Sequence, residues 1–413
     1  MNQHVDSEIG FNQAKAGSYP FGLEDIRIID VDTHLTEPYD LWTSRVPARY
    51  RDRILHVENV NDVPTWIVDG TALGKAGGGC IIRRDGSKWL RLDFTTSRLE
   101  DISEAAYAVK PRLKMMDEMG IWAQVVYPNV VGFGSQAIGQ VADKEVRLLC
   151  ATIWNDAMAE LQEESGQRLY PMGILPWWDI EASVKEAARI KALGLRGVMM
   201  NSDPHNQGLP DLADVFWEPL WEVLEAERLP LNFHIGASDT QMTWTHNSAW
   251  PGQSDGAKIA IGSIFQYFGN ARILSNLIYS GVLERHANLR VVSVESGLAW
   301  VPFFLRAIDY HLKDSDPEAL KQFSIAPSEY FRRQIYTCFW FECLSSGLID
   351  FIKMIGEDRC LFETDFPHPT CLYPNPVESV AASLEGADEL LRRKVLSENA
   401  ADLYGIELPP AHR

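Results

Sequence analysis

Eight short apolar segments recur along the chain, most of them separated by stretches of helical periodicity, and this alternation constrains the fold more than any other feature. The apolar segments span 26–32, 122–127, 169–175, 197–200, 231–235, 289–295, 335–339 and 360–364. Helical patterns occupy 144–165, 181–193, 214–227 and 300–313. Strands that alternate with helices predict a parallel sheet covered on both faces, and the β-branched and apolar residues that dominate these segments suit such burial. Eight units predict closure into a (β/α)8 TIM barrel, an α/β fold. An open doubly wound sheet is the rival. It is weakened because no G-x-G-x-x-G or G-x-x-x-x-G-K motif follows any of the strands.

Two segments break the rhythm. Residues 55–95 hold apolar runs at 66–69, 80–84 and 88–94, punctuated by Gly70, Gly74 and the run Gly77, Gly78, Gly79. That pattern predicts a small antiparallel β insertion after strand 1. Residues 236–269 follow the fifth strand and carry Trp244, His246 and Trp250 among Gly and Ser, which predicts a lid loop over the barrel mouth. The domain reading is an N-terminal arm over 1–25, one barrel over 26–406 and a tail over 407–413. A length of 413 residues suits one large barrel with insertions, although it also suits two average domains.

Composition bounds the partners. A 46% hydrophobic, 23% charged chain is globular, which excludes disorder, collagen and coiled coil. Against 57 acidic residues stand 38 basic ones, a net charge of -19 that repels phosphate backbones and anionic lipid. No nucleic-acid or membrane partner is expected, whereas a local basic pocket for an anionic small-molecule substrate stays open. The 6 cysteines form no C-x-x-C pair and read as small core hydrophobes rather than a disulfide frame or zinc knuckle. Residues 1–20 carry Asp6 and Glu8 and no apolar core, and no run approaches about 18 apolar residues, so a cytoplasmic protein is expected.

The chemistry concentrates at strand ends. In Ile28-Ile29-Asp30-Val31-Asp32-Thr33-His34, alternation puts Asp32 and His34 on one side of the strand, with Asp30 in phase. A carboxylate and an imidazole two residues apart at a barrel mouth make half of a metal site, against the alternative of a helix-capping Asp and a turn His. His234 lies inside the apolar strand Asn232-Phe233-His234-Ile235, Glu295 ends Val291-Val292-Ser293-Val294-Glu295, and Asp365 and His368 follow the last strand. A lone strand His is ordinarily a satisfied core residue, but several such groups in one barrel favour a site. A buried Glu295 is costly without a cation or a proton. His205, beyond the fourth strand, is a candidate pocket residue. Trp177, Trp178, Trp217 and Trp221 read as packing residues, and Arg83, Arg84 and Lys88 as a solvated hairpin face. No G-x-S-x-G nucleophile elbow is present.

These residues carry a family resemblance. Asp32-Thr33-His34, Gly194-Leu195-Arg196-Gly197-Val198, the run Ser280 to Leu289, Thr364-Asp365-Phe366-Pro367-His368 and Glu398-Asn399-Ala400-Ala401-Asp402-Leu403-Tyr404 stand in family order and spacing. Across 26–406 the chain resembles the amidohydrolase-related family, in the branch of aminocarboxymuconate-semialdehyde decarboxylase. The resemblance implies a distorted barrel with a divalent metal at its C-terminal mouth, held by His34, His234 and Asp365, with Asp32 at the first position of the His-x-His motif. Glu295 stands where the family usually has a histidine that moves protons or polarises water.

Counting charge, Asp32, Glu295 and Asp365 bring three negatives; one divalent cation leaves the set at about minus one and two leave it at about plus one. Such donors suit zinc, iron or manganese, one or two ions per chain. Glu342, His368, His205 and His246 are second-tier candidates. The leading expectation is a metal-dependent enzyme that hydrolyses or non-oxidatively decarboxylates a small to medium carboxylated, cyclic substrate, with Asp365, Glu295 and His234 as catalytic groups. The alternative is a dinuclear non-haem iron monooxygenase acting on a bulky substrate such as a CoA thioester. A third reading, an inactive barrel serving as a binding subunit, predicts broken ligands. Family tendency and the apolar helical pattern near 377–391 predict a homodimer or larger homo-oligomer.

Overall fold

The structure is a computed structural model and describes residues 22–89, 93–246, 250–344 and 347–409. Strand β1 (Ile29–His34) enters the core directly, and all six of its residues are buried. Three strands of a separate sheet follow: β2 (His56–Val60), β3 (Val63–Val68) and β4 (Thr71–Lys75), all antiparallel. The β2–β3 hairpin turns on Asn61 and Asp62, both at positive φ (52° and 64°). Two left-handed residues match the twist of a two-residue hairpin, and Asn and Asp tolerate that region best after Gly. The antiparallel element thus lies over 56–75, earlier than the runs at 80–84 and 88–94 suggest; those contribute only isolated pairings, Ile82 with Lys88 and Arg83 with Ile102.

The remaining strands are β5 (Ala123–Tyr127), β6 (Leu169–Pro171), β7 (Gly173–Ile174), β8 (Val198–Met199), β9 (Leu231–His234), β10 (Val291–Val294), β11 (Ile335–Phe339) and β12 (Cys360–Phe362). They form two parallel arcs, β1-β5-β6 and β12-β11-β10-β9-β8-β7. At one seam the chain passes from arc to arc through Met172: its N–H donates to Val126 O, and the next N–H, of Gly173, donates to Gly197 O. At the other seam His34 N donates to Phe366 O (2.6 Å) and Asp365 N to Asp32 O (2.9 Å). Each seam therefore holds the arcs together by backbone hydrogen bonds, and the second lies at the strand ends that carry the candidate site.

Helices pack around the arcs where periodicity places them: Lys144–Glu164, Ile180–Ala192, Glu218–Glu227 and Val301–Ser315. Asp143 and Asp179 cap the first two by accepting from first-turn N–H groups. Residues 236–269 depart from the expected loop. They form helix Asp239–His246 and the first part of helix Asp255–Tyr279, the latter capped by Ser254. Glycines at 256, 262 and 269 obscure its helical pattern in sequence. Gly269 is required by packing, since a Cβ there would meet the Gln241 side chain at 2.8 Å. Cys80, Cys150, Cys338, Cys360 and Cys371 are buried free thiols, while the side chain of Cys343 lies outside the described residues. Among the described residues, no helix is long and apolar enough to cross a membrane.

Candidate metal centre

Four strand ends supply the site. Asp32 and His34 share the inner side of β1, His234 closes β9, Glu295 follows β10 directly, and Asp365 lies three residues past β12. Two of these residues adopt a conformation that non-glycine residues avoid: Glu295 has φ 52° and Asp365 φ 58°. Each such residue costs on the order of 1–3 kcal/mol unless its surroundings hold it, and such strain clusters at functional sites. Glu295 is held by its own N–H, which donates to the buried carboxylate of Glu363 (3.2 Å). Asp365 is held by its N–H on Asp32 O.

The donor atoms converge. His34 Nε2 lies 3.5 Å from Asp32 Oδ1 and 3.7 Å from Asp365 Oδ1. His234 Nε2 lies 3.4 Å from Asp32 Oδ1 and 3.1 Å from Glu295 Oε2. The two Nε2 atoms are 3.2 Å apart. Donors bound at about 2.0–2.2 Å to one ion stand roughly 3.0–3.6 Å from one another, so this spacing suits a shared cation.

Tautomers strengthen the fit. Nδ1 of His34 faces Pro128 O and Nδ1 of His234 faces Ile235 O, so each Nδ1 carries the proton and each Nε2 presents a lone pair. Facing lone pairs repel unless a cation lies between them. Both oxygens of Asp32 and Oδ1 of Asp365 are buried with no hydrogen-bond donor among the described residues. Burial, then the neighbouring Asp365 charge, pushes the Asp32 and Glu295 carboxyls well up. Burial lowers both imidazoles, His234 to about 4, which keeps them neutral. A divalent ion reverses the carboxylate preference and suits neutral imidazoles.

The supporting residues are drawn from distant segments. Asp30 accepts from Thr364 N (2.8 Å), Thr364 Oγ1 (2.6 Å) and Gln124 Nε2 (3.0 Å), which ties β1 to the segment before Asp365. Burial pushes its carboxyl up to about 7, against those hydrogen bonds. Buried Arg112 donates to His34 O (3.0 Å) and lies over the Phe366 ring at 4.5 Å, gripping both flanks of the second seam. Phe133 roofs the imidazoles, its ring centroid 4.4 Å from His234 and 5.0 Å from His34. Nothing in the sequence marked Arg112, because one Arg in an amphipathic helix reads as surface. Glu363 had a signal, since it lies two residues before Asp365.

The second-tier candidates separate. His368 joins the centre, its Nδ1 2.9 Å from Asp365 Oδ1. Glu342 does not: its carboxylate accepts from the N–H groups of Leu298 (2.6 Å), Ala299 (3.3 Å) and Trp340 (3.4 Å), which makes it a backbone anchor instead of a ligand. His205 is exposed on the turn Pro204–Gln207 and is not among the residues of the donor clusters. His246 ends helix Asp239–His246, and its side chain lies outside the described residues. Trp177, Trp217 and Trp221 are buried packing residues. Arg83 and Arg84 are exposed as expected, but Lys88 turns inward to donate to Cys371 O (2.8 Å). A cleft of about 1160 Å³ opens at the opposite end of the strands, beside Tyr170, Arg196 and Leu408, away from the ligating groups.

The amidohydrolase family model (Amidohydro_2) matches residues 29–406, nearly the whole described chain. The chain belongs to the amidohydrolase family. Within it, this amidohydrolase stands with the branch that includes aminocarboxymuconate-semialdehyde decarboxylase. It is 27% identical over 329 residues to gamma-resorcylate decarboxylase of Polaromonas sp., covering 75% of this chain and 89% of the relative. It is 24% identical over 314 residues to 2-amino-3-carboxymuconate-6-semialdehyde decarboxylase of Dictyostelium discoideum, covering 72% and 76%. Among solved structures, an amidohydrolase of Mycobacterium avium subsp. paratuberculosis superposes with a TM-score of 0.71 at 22% identity, covering 92% of this chain and 99% of that one. A dihydroxybenzoic acid decarboxylase of Polaromonas sp., with bound manganese and the inhibitor 2-nitroresorcinol, superposes with a TM-score of 0.58 at 20% identity, covering 92% and 97%. These likenesses establish an α/β fold of the TIM-barrel type.

Proposed function

We infer that this amidohydrolase is a metal-dependent carboxy-lyase that releases carbon dioxide from a carboxylated aromatic or cyclic substrate without an oxidant. The observation that carries the reading is the convergence of Asp32, His34, His234 and Glu295 into one group of donors, where both oxygens of Asp32 and Oδ1 of Asp365 have no hydrogen-bond partner among the described residues. The two arcs are read as one distorted eight-stranded barrel, with 55–95 as its insertion. Relatives named as decarboxylases favour carbon dioxide release over hydrolysis.

Asp32, His34, His234 and Asp365 would hold the ion, and manganese is the first choice because a structural relative contains it. The ion when bound supplies positive charge to the substrate carboxylate and an adjacent oxygen, fixing the scissile bond at the mouth. The chain's own groups do the rest. Phe133 packs over the imidazoles and excludes water from that side. Asp365 and Glu295, the two carboxylates turned inward by left-handed backbone, are placed to carry a proton to the substrate carbon as its bond to the carboxylate breaks.

Glu295 favours a second reading, oxygenation at a carboxylate-rich iron pair, since an added anionic donor suits more than one ion. Manganese-loaded and iron-loaded protein are each to be incubated with a panel of ortho-hydroxylated aromatic acids, under argon and in air, with carbon dioxide and oxygen measured. Release under argon supports the carboxy-lyase. Release only in air, with oxygen consumed and iron bound, overturns it in favour of oxygenation.

A further inference from the structure

A second cavity, of about 390 Å³, opens at the strand ends opposite the metal centre. Arg290 directly precedes β10, Tyr336 is the second residue of β11, and Arg228 closes helix Glu218–Glu227 just before β9. All three line the cavity, and Leu224 and Leu229 supply an apolar wall.

The cations here are uncommitted. Neighbouring Arg285 is held by Glu218 (2.6 Å), and Glu225 is spent on His286 Nδ1 (3.2 Å) and the N–H of Asn288 (2.7 Å). Arg228 and Arg290 have no carboxylate within 4.0 Å among the described residues, in a chain of net charge -19. Asp402 also lines the cavity, but it is exposed and pairs with neither. Tyr336 is 3% exposed, its hydroxyl accepts from Arg359 Nη1 (3.2 Å), and the Arg290 guanidinium stands beside it. Flanked by donors, the phenol keeps its own proton to give, and among the described residues no group accepts it.

The backbone of Arg228 adds an independent sign. It ends its helix at φ 52° and ψ 48°, the left-handed position where glycine is the ordinary residue. The turn is closed by backbone bonds, Arg228 N to Glu225 O (3.2 Å) and Leu229 N to Leu224 O (3.0 Å), which glycine would make equally well. The turn therefore does not need the guanidinium, and strain of this kind persists where a side chain serves something else.

We propose that this cavity binds the anionic group, carboxylate or phosphate, of a small molecule, through the guanidiniums of Arg228 and Arg290 and the hydroxyl of Tyr336. Guanidiniums grip such oxygens in bidentate fashion, and the leucine wall suits an apolar remainder. The site lies the length of β9 and β10 away from His234 and Glu295, and it does not rest on the carboxy-lyase reading.

The test titrates the full manganese-loaded chain, freed of unbound metal, with inorganic phosphate and separately with malonate, by calorimetry. The expected result is one anion held at this cavity with a dissociation constant of about 1 mM or lower, weakened by added salt. Phosphate alone marks a phosphorylated ligand and malonate alone a carboxylated one, and either supports the proposal. Arg290→Gln and Arg228→Gly should each weaken that binding by about 10–100-fold. Arg228→Gly also relieves the backbone, so its thermal midpoint should be no lower than the parent's, which separates a lost ligand contact from a damaged fold. Titrations identical in the parent and both variants place the anion elsewhere and overturn the proposal. Failure of both probes to bind the parent at that strength overturns it as well.

Discussion

Glu295 bears most on the proposed chemistry, because it adds a carboxylate where the family resemblance implies an imidazole. Its Oε2 is 3.1 Å from His234 Nε2, within the reach of a shared ion. Glu295→Gln keeps the shape and removes the charge, so manganese binding should weaken and turnover should drop by about 10²-fold or more. Unchanged metal content and turnover would make Glu295 structural. Glu37 offers a test away from the ions. It accepts from the N–H groups of Asn129 and Val130, and burial pushes its carboxyl up to about 7. A folded value above the unfolded one means that its contribution is whole at low pH and is lost as pH rises through about 4.5 to 7. Glu37→Gln has no charge to desolvate. Its stability relative to the parent should therefore rise between pH 5 and pH 8, by on the order of 1–3 kcal/mol, as read from denaturant unfolding. A flat difference across that range would show that Glu37 stays ionised in the fold.

At the scale of elements, the strand ends matter more than the strands. Gly297, with φ 67°, lets the chain leave β10 through a tight turn, and a Cβ there would meet Glu342 Oε1 at 2.5 Å. That oxygen accepts from Leu298 and Ala299, at the start of helix Val301–Ser315. Gly297→Ala should cost about 1–3 kcal/mol in thermal or denaturant unfolding and also weaken manganese binding, because Glu295 lies two residues earlier. Loss of stability with unaltered metal affinity would separate the turn from the site. The eight strand positions were legible because a doubly buried strand is apolar throughout. Helix Asp255–Tyr279 was not, because glycines at 256, 262 and 269 mimic a loop, and of these Gly269 packs closely against Gln241 of helix Asp239–His246.

At the scale of the molecule, a cation held at the proposed centre would link both arcs, since Asp32 and His34 belong to one and His234 and Glu295 adjoin the other. Removing metal should therefore lower the thermal midpoint of the whole chain cooperatively. A ligand at about 100 times its dissociation constant contributes about 2.7 kcal/mol, which manganese titration of the midpoint will read. A midpoint indifferent to chelation would place the ions outside the folding unit. Beneath the centre, Asn232 Oδ1 accepts from the hydroxyls of Tyr127 (3.1 Å) and Tyr404 (2.8 Å), so the C-terminal helix Asn399–Tyr404 plugs the same interior. The sequence holds all three residues, but no local pattern announces that they meet.

Local chemistry alone determined which segments are strands and which strand ends carry Asp32, His34, His234, Glu295 and Asp365, because burial and side-chain alternation act over a few residues. The tertiary structure decided everything that depends on contacts between distant residues. Asn129 Oδ1 meets His368 Nε2 from far along the chain, and Arg112 holds the carbonyl of His34 from helix Val109–Met119. It also decided the left-handed turns at Glu295 and Asp365. Glycine signals such a conformation, and Asn or Asp does so more weakly, but Glu does not, and only a surrounding network can hold Glu295 there.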